Sequence, residues 1–220
     1  MIYRHLKFLF LLTLPASAFC ASAEILSDEI LASANEKALF ATKRLTAFPA
    51  TPGRITGMAD ILNQDNGGKL NGQFYEDGLA KDVKWVAHKQ ELFSKYDIKY
   101  AFFYMNDSDF SEIACIVGRE PDFSTQTIQR FFYITNVKYQ KIGITSEAIR
   151  GFLKADSIDY KILELSIHPG NESSVAIAQK VIGASKTGEG ENYTKTQSRH
   201  FYTISGEELI KKVSTFPDIS

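Results

Sequence analysis

The stretch from Gln140 to Ser146, QKIGITS, combines a glycine with the start of an amphipathic helical pattern. Backbone N–H groups in the first turn of a helix have no acceptor within the helix, and the helix dipole favours an anion there. Gly143 permits close approach to the backbone, so this stretch could bind a phosphate group. Turn geometry alone would also explain Gly143, and the sequence leaves both interpretations open.

A second group of polar residues follows an apolar run further along the chain. Histidine titrates near neutral pH, so His168 could be a general base, or it could order the loop with Pro169 and Asn171. Asn171 and Ser174 could bind a ligand. They also suit the N-cap and first turn of a helix, and the two roles are compatible.

Cys115 lies within the apolar run IACIV. A thiol in such a run favours a buried, inert side chain over a nucleophile. If residues 1–23 are removed, Cys20 is lost, and a single cysteine cannot form an intramolecular disulfide.

The elements around these residues follow from hydrophobic periodicity. Aromatic and β-branched residues predict a strand over 128–137, and Ala148, Ile149, Phe152 and Leu153 predict the helix that begins near Ser146. The same pattern predicts a strand over 162–168 and a helix over 171–182. The chain therefore contains two strand–turn–helix units, with the candidate residues in the turns.

The rest of the chain supplies further strands and helices. The predicted strands are 43–49, 98–105, 111–117 and 201–204, and the predicted helices are 51–62, 79–96 and a short one that begins with a capping box at 205–208. Polar loops are predicted over 63–78 and 118–127. Antiparallel strands followed by two strand–helix units predict an α+β fold: a sheet covered by helices, with a cleft where two strands diverge.

Three motifs in this order resemble the GCN5-related N-acetyltransferase (GNAT) superfamily, above all its branch that acetylates ribosomal-protein N-termini. Gln140-x-x-Gly143-x-Thr145 is similar to the superfamily's acetyl-CoA loop. Asn171-Glu172-Ser173-Ser174 is similar to its Asn-x-x-Ser/Ala landmark after the next strand. Thr42-Lys43-Arg44-Leu45 with Thr51-Pro52 is similar to the opening of that branch. The match covers about residues 40–205.

The resemblance implies a GNAT-like sheet, mixed but mostly antiparallel, of about 6–7 strands with a V-shaped cofactor cleft. It implies N-acetyl transfer from acetyl-CoA, a cosubstrate, to a primary amine of a protein or small molecule, with no metal. The alternative is an exported, non-catalytic module of the same fold that binds a CoA-like ligand or a protein partner. The implied catalytic residues are His168 and Ser174, and the implied acetyl-CoA-binding residues are Val137, Gln140, Lys141, Ile142, Gly143, Ile144, Thr145, Ser146, Asn171 and Ser174.

The chain departs from the superfamily pattern in four places. Thr145 puts a β-branched side chain where Gly or Ala is usual. Ala178 stands where many relatives carry a tyrosine that acts as an acid, and Arg130 falls near a position where some relatives use a glutamate as the base. The helix after Asn171 ends in Lys180-Val181-Ile182-Gly183-Ala184, which is one residue longer than the pattern.

The first residues are typical of a secretory signal peptide. Arg4 and Lys7 precede an apolar run, and Ala21-Ser22-Ala23 is a small-residue cleavage site. We therefore expect export, to the periplasm or outside the cell, with a possible site of action in another cell's cytosol. The expected divisions are a signal peptide (1–23), an N-terminal helical segment (24–41), an acetyltransferase-like domain (42–205) and a C-terminal helical tail (206–220).

Composition limits the partners. The chain has 220 residues, 44% of them hydrophobic, with a formal net charge of −1, so it can bury one sizeable core and has no basic excess for binding nucleic acid. The expected partner is an amine-bearing acceptor. We expect a monomer, no nucleic-acid binding and no stable membrane insertion after the signal peptide is cleaved.

Overall fold

The computed structural model describes residues 37–63, 83–122, 125, 127–191 and 198–219. These residues form one sheet of eight strands and five helices. The strands are β1 (Phe40–Ala41), β2 (Leu45–Pro49), β3 (Lys99–Met105), β4 (Cys115–Pro121), β5 (Ile128–Thr135), β6 (Ile162–Ile167), β7 (Ser185–Glu191) and β8 (Ser198–Ser205). The helices are α1 (Pro52–Asn63), α2 (Val83–Lys95), α3 (Ile144–Ala155), α4 (Glu172–Ala176, continued by π-helical Ile177–Ile182) and α5 (Gly206–Val213).

The strand order across the sheet is β1-β2-β3-β4-β5-β6-β8-β7, and only the β5–β6 pair is parallel. β4 and β5 pair over seven positions, from Cys115↔Thr135 to Pro121↔Gln129. β5 and β6 pair over three, ending at Arg130↔Glu164. Beyond that last pair the two strands diverge. The predicted α+β fold is confirmed, with a mostly antiparallel sheet that opens into a V.

Each face of the sheet carries its own core. On one face α3, α4 and α5 pack over a cluster that includes Ile149, Leu163 and Ile182. On the other face α1 and α2 pack over a cluster that includes Phe102 and Ile134. The apolar residues that predict α3 are all buried against the sheet, so its periodicity indicates the correct face.

Two strands differ from the sequence prediction. β4 begins at Cys115, not at residue 111, and it runs to Pro121 through residues predicted to be a loop. Its end is held by the buried Arg119, whose guanidinium donates to Asp156 at 2.8 and 3.3 Å. β7 lies in a stretch for which the sequence patterns predict no element. It is an exposed edge strand, SKTGEGE, so it lacks the apolar alternation that predicts a strand.

The structure describes only the last residues of the predicted N-terminal segments but nearly all of the predicted C-terminal tail. Residues 1–36, with the predicted signal peptide and most of the helical segment 24–41, lie outside the described residues, as does most of the predicted loop 63–78. The last residues of that segment form β1 and not helix, because Phe40 pairs with Ala47 and its ring packs edge-on against Phe103. α5 occupies 206–213, within the predicted tail. None of the described helices is long and apolar enough to cross a membrane.

Candidate functional site

The candidate phosphate turn, Gln140 to Ser146, joins β5 to α3. Lys141 and Gly143 both adopt left-handed backbone angles, with φ of 63° and 83°, and Gly143 is the N-cap of α3. Gln140 closes the turn, because its Nε2 donates to the carbonyl of Thr135 at 3.3 Å. Val137 precedes the turn in a short 3-10 segment, Val137–Tyr139.

The backbone N–H groups of this turn are available to a ligand. The first hydrogen bond of α3 runs from the N–H of Glu147 to the carbonyl of Gly143, at 3.2 Å. Within the described part of the chain, the N–H groups of residues 141–146 donate no hydrogen bond to protein. A left-handed turn followed by a helix start is an anion-binding arrangement. Because the side chain of Ile144 is fully buried, that residue can contribute only its backbone.

Thr145, the β-branched departure from the superfamily pattern, is bonded to the strand before the turn. Its Oγ1 lies 2.6 Å from Oγ1 of Thr135, which in turn lies 3.5 Å from the sulfur of Cys115. The hydroxyl therefore joins α3 to β5. This bond fixes the orientation of a side chain that the resemblance predicts to lie beside the phosphates of acetyl-CoA.

A carboxylate in the first turn of α3 holds the phosphate turn to the start of the domain. Glu147 accepts from Oγ1 of Thr42 at 2.6 Å, from the backbone N–H of Arg44 at 2.8 Å and from Nε of Arg44 at 2.7 Å. Nη1 of Arg44 donates to the carbonyl of Ile142 at 2.9 Å. Burial raises the pKa of Glu147, but the hydrogen bonds from Thr42 and Arg44 outweigh it and hold that pKa below its usual value. We call this set of residues the turn clamp.

The turn clamp gives a structural role to the Thr-x-Arg-Leu motif, which the sequence indicates only through its resemblance to the superfamily. Thr42 and Arg44 lie in the Thr-x-Arg-Leu motif, about a hundred residues from the carboxylate that they bind. Nη2 of Arg44 lies 3.5 Å from where a Cβ on Gly143 would stand. A long separation in sequence conceals such a contact. The one indication of this contact in the sequence is Glu147, because an acidic residue is unexpected in the first turn of a helix that is proposed to bind an anion.

His168, a sequence-predicted catalytic residue, takes part in the loop that follows β6. Its Nδ1 accepts from the N–H of Gly170 at 3.0 Å, and its carbonyl accepts from the N–H of Asn171 at 2.9 Å. A proton on Nδ1 would break the first of these bonds, so the geometry favours the loop-ordering role over that of the base. The catalytic role stays a prediction.

Asn171 and Ser174 begin α4 as a cap pair. Oδ1 of Asn171 accepts from the N–H of Ser174 at 3.1 Å. The carbonyl of Ser174 accepts from the phenol of Tyr133 on β5 at 3.3 Å, across the gap between the diverging strands. Burial raises the pKa of Tyr133, so the phenol stays protonated. Ligand binding by Asn171 and Ser174 stays a prediction, and Tyr133 is a neighbour that the sequence patterns miss.

The extra residue of α4 is accommodated by a π-helical turn. The N–H groups of Gly183 and Ala184 both donate to the carbonyl of Ala178, at 3.0 and 2.9 Å. One wider turn absorbs one inserted residue, which is the usual origin of such π-turns. Ala178 itself is fully buried, so the position where relatives carry a tyrosine belongs to the core.

Cys115 is inert. The side chain is fully buried, and burial raises the pKa of its thiol to about 12. A thiol at that pKa has almost no thiolate at neutral pH, as its apolar sequence context predicts.

The two turns lie at one edge of the sheet. The phosphate turn follows the carboxyl end of β5, and the His168–Ser174 segment follows the carboxyl end of β6. In open α/β sheets, ligands bind beyond the carboxyl ends of neighbouring parallel strands, where the strands separate. The sequence-predicted residues therefore flank one V-shaped cleft.

Comparison with known proteins finds similarity in structure but not in sequence. No protein-family profile and no curated sequence matches this chain. Solved structures do match. RimL, a ribosomal L7/L12 alpha-N-protein acetyltransferase solved with coenzyme A, has a TM-score of 0.59 at 11% identity, over 77% of this chain and 98% of that one.

Two further structures are similar to the same extent. The microcin C7 self-immunity acetyltransferase MccE, solved with acetyl-CoA and AMP, has a TM-score of 0.58 at 13% identity, over 74% of this chain and 93% of that one. A GNAT-family acetyltransferase from Streptococcus pneumoniae has a TM-score of 0.56 at 19% identity, over 73% and 98% of the two chains. At such identities the likeness establishes the fold. This chain therefore has the GNAT fold.

Proposed function

We propose that this chain is an acetyl-CoA-dependent N-acetyltransferase that acts on a primary amine. The observation that carries the proposal is the open edge of β5. Its residues from Phe131 to Thr135 pair with β4 but have no strand partner on the β6 side among the described residues. Five residues of strand extend about 16 Å and lead directly to the phosphate turn.

The pantetheine arm of CoA fits this edge in length and chemistry. Between phosphate and sulfur it has about a dozen chain atoms, equivalent to about four extended residues or roughly 14 Å. Its two amides can pair with a free strand edge as an added strand would. With the pyrophosphate on the N–H groups of residues 141–146, the sulfur end lies near Phe131, where β5 and β6 converge.

The roles assigned to the chain follow from this placement. The phosphate turn, with Gln140, Lys141 and Ser146, binds the pyrophosphate, and Val137 lies between that turn and the strand edge that the arm follows. Asn171 and Ser174 border the cleft from α4. Acetyl-CoA supplies a thioester carbonyl open to attack by an amine. RimL and MccE, which share the fold, were solved with CoA or acetyl-CoA, and this supports the proposal.

The acceptor is a primary amine on a protein or a small molecule, taken by a monomer. The face of β6 that carries Glu164 and Ser166 is half-buried to exposed, so an acceptor can approach the thioester end of the cleft from there. Residues 63–78, which follow α1 in the chain, and residues 183–200, which include β7, are the segments proposed to select it.

A non-catalytic module is a second candidate, and two observations favour it. Ala178 is buried and has no phenol to protonate a leaving thiolate. Nδ1 of His168 already accepts a hydrogen bond from Gly170. Such a module would keep the CoA cleft and bind the ligand without transfer.

Calorimetry and thiol release distinguish the two candidates. We expect the purified protein to bind acetyl-CoA and, with a panel of peptides and small primary amines, to release free CoA thiol. Binding without thiol release across the panel would support the module. No heat of binding at millimolar acetyl-CoA would reject the enzyme and the CoA-binding module, and would leave a module that binds a protein partner.

We also propose export through the predicted signal peptide, with action in the cytosol of another cell, where acetyl-CoA is available. The support is the layout of residues 1–23. Protein recovered outside the cytoplasm should begin at Glu24, after cleavage behind Ala23, or at Phe19, after cleavage behind a second small-residue site, Ala16-Ser17-Ala18. An intact Met1 there would reject cleavage of this segment.

A further inference from the structure

Glu164 lies on the face of β6 away from the α3 and α4 core. Its neighbours Leu163 and Leu165 are buried in that core, and side chains alternate along a strand, so Glu164 points to the other face of the sheet. It is half-buried. A carboxylate there is accessible from the side that the α3 and α4 helices leave open.

Glu164 also stands at the point of the V. The pair Arg130↔Glu164 is the last registered pair before β5 and β6 diverge. The pantetheine arm, placed along Phe131 to Thr135, brings its sulfur to this point, because the arm and the free edge have nearly the same length. The carboxylate is thus located beside the thioester end of the cleft.

Among the described residues, two charged groups act on Glu164, and these two, Arg130 and Asp122, form an ion pair with each other. Arg130 on β5 donates from Nη2 to Oδ1 of Asp122, beyond the end of β4, at 3.0 Å. Burial raises the pKa of Glu164, Arg130 lowers it and Asp122 raises it, and the net shift is upward. A carboxylate with a raised pKa is a stronger proton acceptor at neutral pH.

We propose that Glu164 is the general base of this site and accepts a proton from the attacking amine. The inference rests on the proposed function. An amine that arrives as an ammonium ion gives one proton to Glu164; its nitrogen forms the C–N bond while the C–S bond breaks. The second proton goes to the departing thiolate, so an ammonium ion and a thioester yield an amide, a thiol and one proton. Glu164 thus takes the role of the base, for which some relatives use a glutamate near the position of Arg130.

The first test uses no turnover. In protein labelled with ¹³C at glutamate carboxyls, the Glu164 signal, assigned with Glu164→Gln, should titrate above the ordinary glutamate range. Acetyl-CoA should move this titration midpoint, because its acetyl group desolvates the carboxylate. Adenosine 3′,5′-diphosphate, which has the nucleotide end and no pantetheine, should leave the midpoint unchanged.

The second test measures activity with binding as the reference. Glu164→Gln should bind acetyl-CoA within about twofold of the wild type. Its thiol release with the amine panel, and its slow hydrolysis of acetyl-CoA without an amine, should fall about 100-fold or more. The acid limb of the kcat profile should disappear, and Glu164→Asp should recover part of the rate. Glu207→Gln, at an exposed carboxylate of α5 outside the proposed site, is the matched control and should retain full activity.

The failures of the two proposals are distinguishable. If acetyl-CoA does not bind the wild type, the proposed function fails. If acetyl-CoA binds but shifts the titration midpoint of Glu164 no more than adenosine 3′,5′-diphosphate does, only the assignment of the base fails. The same holds if Glu164→Gln keeps its rate and the acid limb of its kcat profile. Misfolding is monitored through Tm, which should stay level or rise at neutral pH because Gln removes a partly buried charge.

Discussion

The eight residues of β5 pair with the neighbouring strand to a different extent on each side. On one edge β4 follows β5 over seven positions, and on the other β6 leaves it after three. β6 is itself paired with β8 over six positions, from Ile162↔Ser205 to Ile167↔His200. β6 thus stays paired with β8 along its whole length while it leaves β5, so the sheet has a slot between β5 and β6.

The side of β5 that pairs with β4 (the closed region) and the side from which β6 diverges (the open region) are also stabilised in different ways. The closed region ends in the fully buried ion pair of Arg119 with Asp156, which Gln129 extends by a bond of 3.0 Å. The open region ends in the partly exposed turn clamp, where the side chain of Arg44 is 38% exposed. A buried pair is costly to break, and an exposed one contributes little to stability. The contrast predicts that stability and ligand binding can be changed separately.

The largest effect is expected in the closed region. Asp156→Asn removes the buried countercharge of Arg119 and leaves the exposed Asp97, 3.6 Å from Nη1, as its remaining ion-pair partner among the described residues. Breaking such a buried pair typically costs about 3–5 kcal/mol. Urea unfolding should show this loss. Because α3 places Asp156 about 20 Å from Gly143, the folded fraction should bind acetyl-CoA with unchanged affinity. Weaker binding by folded protein would show that the two regions are coupled.

The next effect is expected in the phosphate turn. Gly143→Val forces a β-branched residue to a φ of 83°, beside Arg44. The strain of about 2 kcal/mol displaces the turn and should weaken acetyl-CoA binding at least about 30-fold by calorimetry. Gly53→Ala is the control, because no atom lies within 4 Å of the added Cβ. Equal affinities in both variants would remove the turn from the binding site.

The local elements of this contrast can be predicted from sequence. The strand–turn–helix at 128–155 and the one at 162–182 both follow from periodicity within a dozen residues. The helix of the first begins at Ile144, two residues before the predicted Ser146, because Gly143 takes the N-cap position that a capping side chain usually fills. Periodicity determines the face of a helix better than its end.

The contacts that join distant segments are not predictable in this way. Glu147 binds Thr42 and Arg44 across more than a hundred residues, and β4 extends to Pro121 because Arg119 meets Asp156. β7 carries no apolar alternation since both its faces are exposed. The β5–β6 register ends at Glu164 while β6 stays paired with β8, and local periodicity contains no information on such pairing between strands.

A smaller effect is expected from the turn clamp. Arg44→Ala and Glu147→Gln each remove bonds that hold the carbonyl of Ile142 or the start of α3. Because the pair is partly exposed, we expect about 1 kcal/mol, or roughly fivefold weaker acetyl-CoA binding. The double variant should lose little more than either single variant, since both break one unit. Lys43→Ala, at an exposed neighbour, should bind normally. Full additivity would contradict the clamp.

The pH dependence of the clamp follows from the lowered pKa of Glu147. A carboxylate with a lowered folded-state pKa stabilises the protein above its unfolded pKa of about 4.3, and that stabilisation is lost as pH falls through the folded value. Wild type and Glu147→Gln should therefore differ in unfolding free energy at pH 7 and converge in acid. A difference that persists in acid would mean that the pair acts through packing and not through charge.

The smallest effect is expected where a side chain crosses the slot. Tyr133→Phe removes one bond of 3.3 Å to the carbonyl of Ser174, which also accepts from the N–H of Ile177. Because that carbonyl keeps a partner, the loss should be at most about 1 kcal/mol in urea unfolding, with acetyl-CoA affinity within about twofold. Thiol release should be nearly unchanged if the phenol only ties β5 to α4. A tenfold fall in kcat at constant affinity would instead assign Tyr133 the proton-donor role that Ala178 cannot fill.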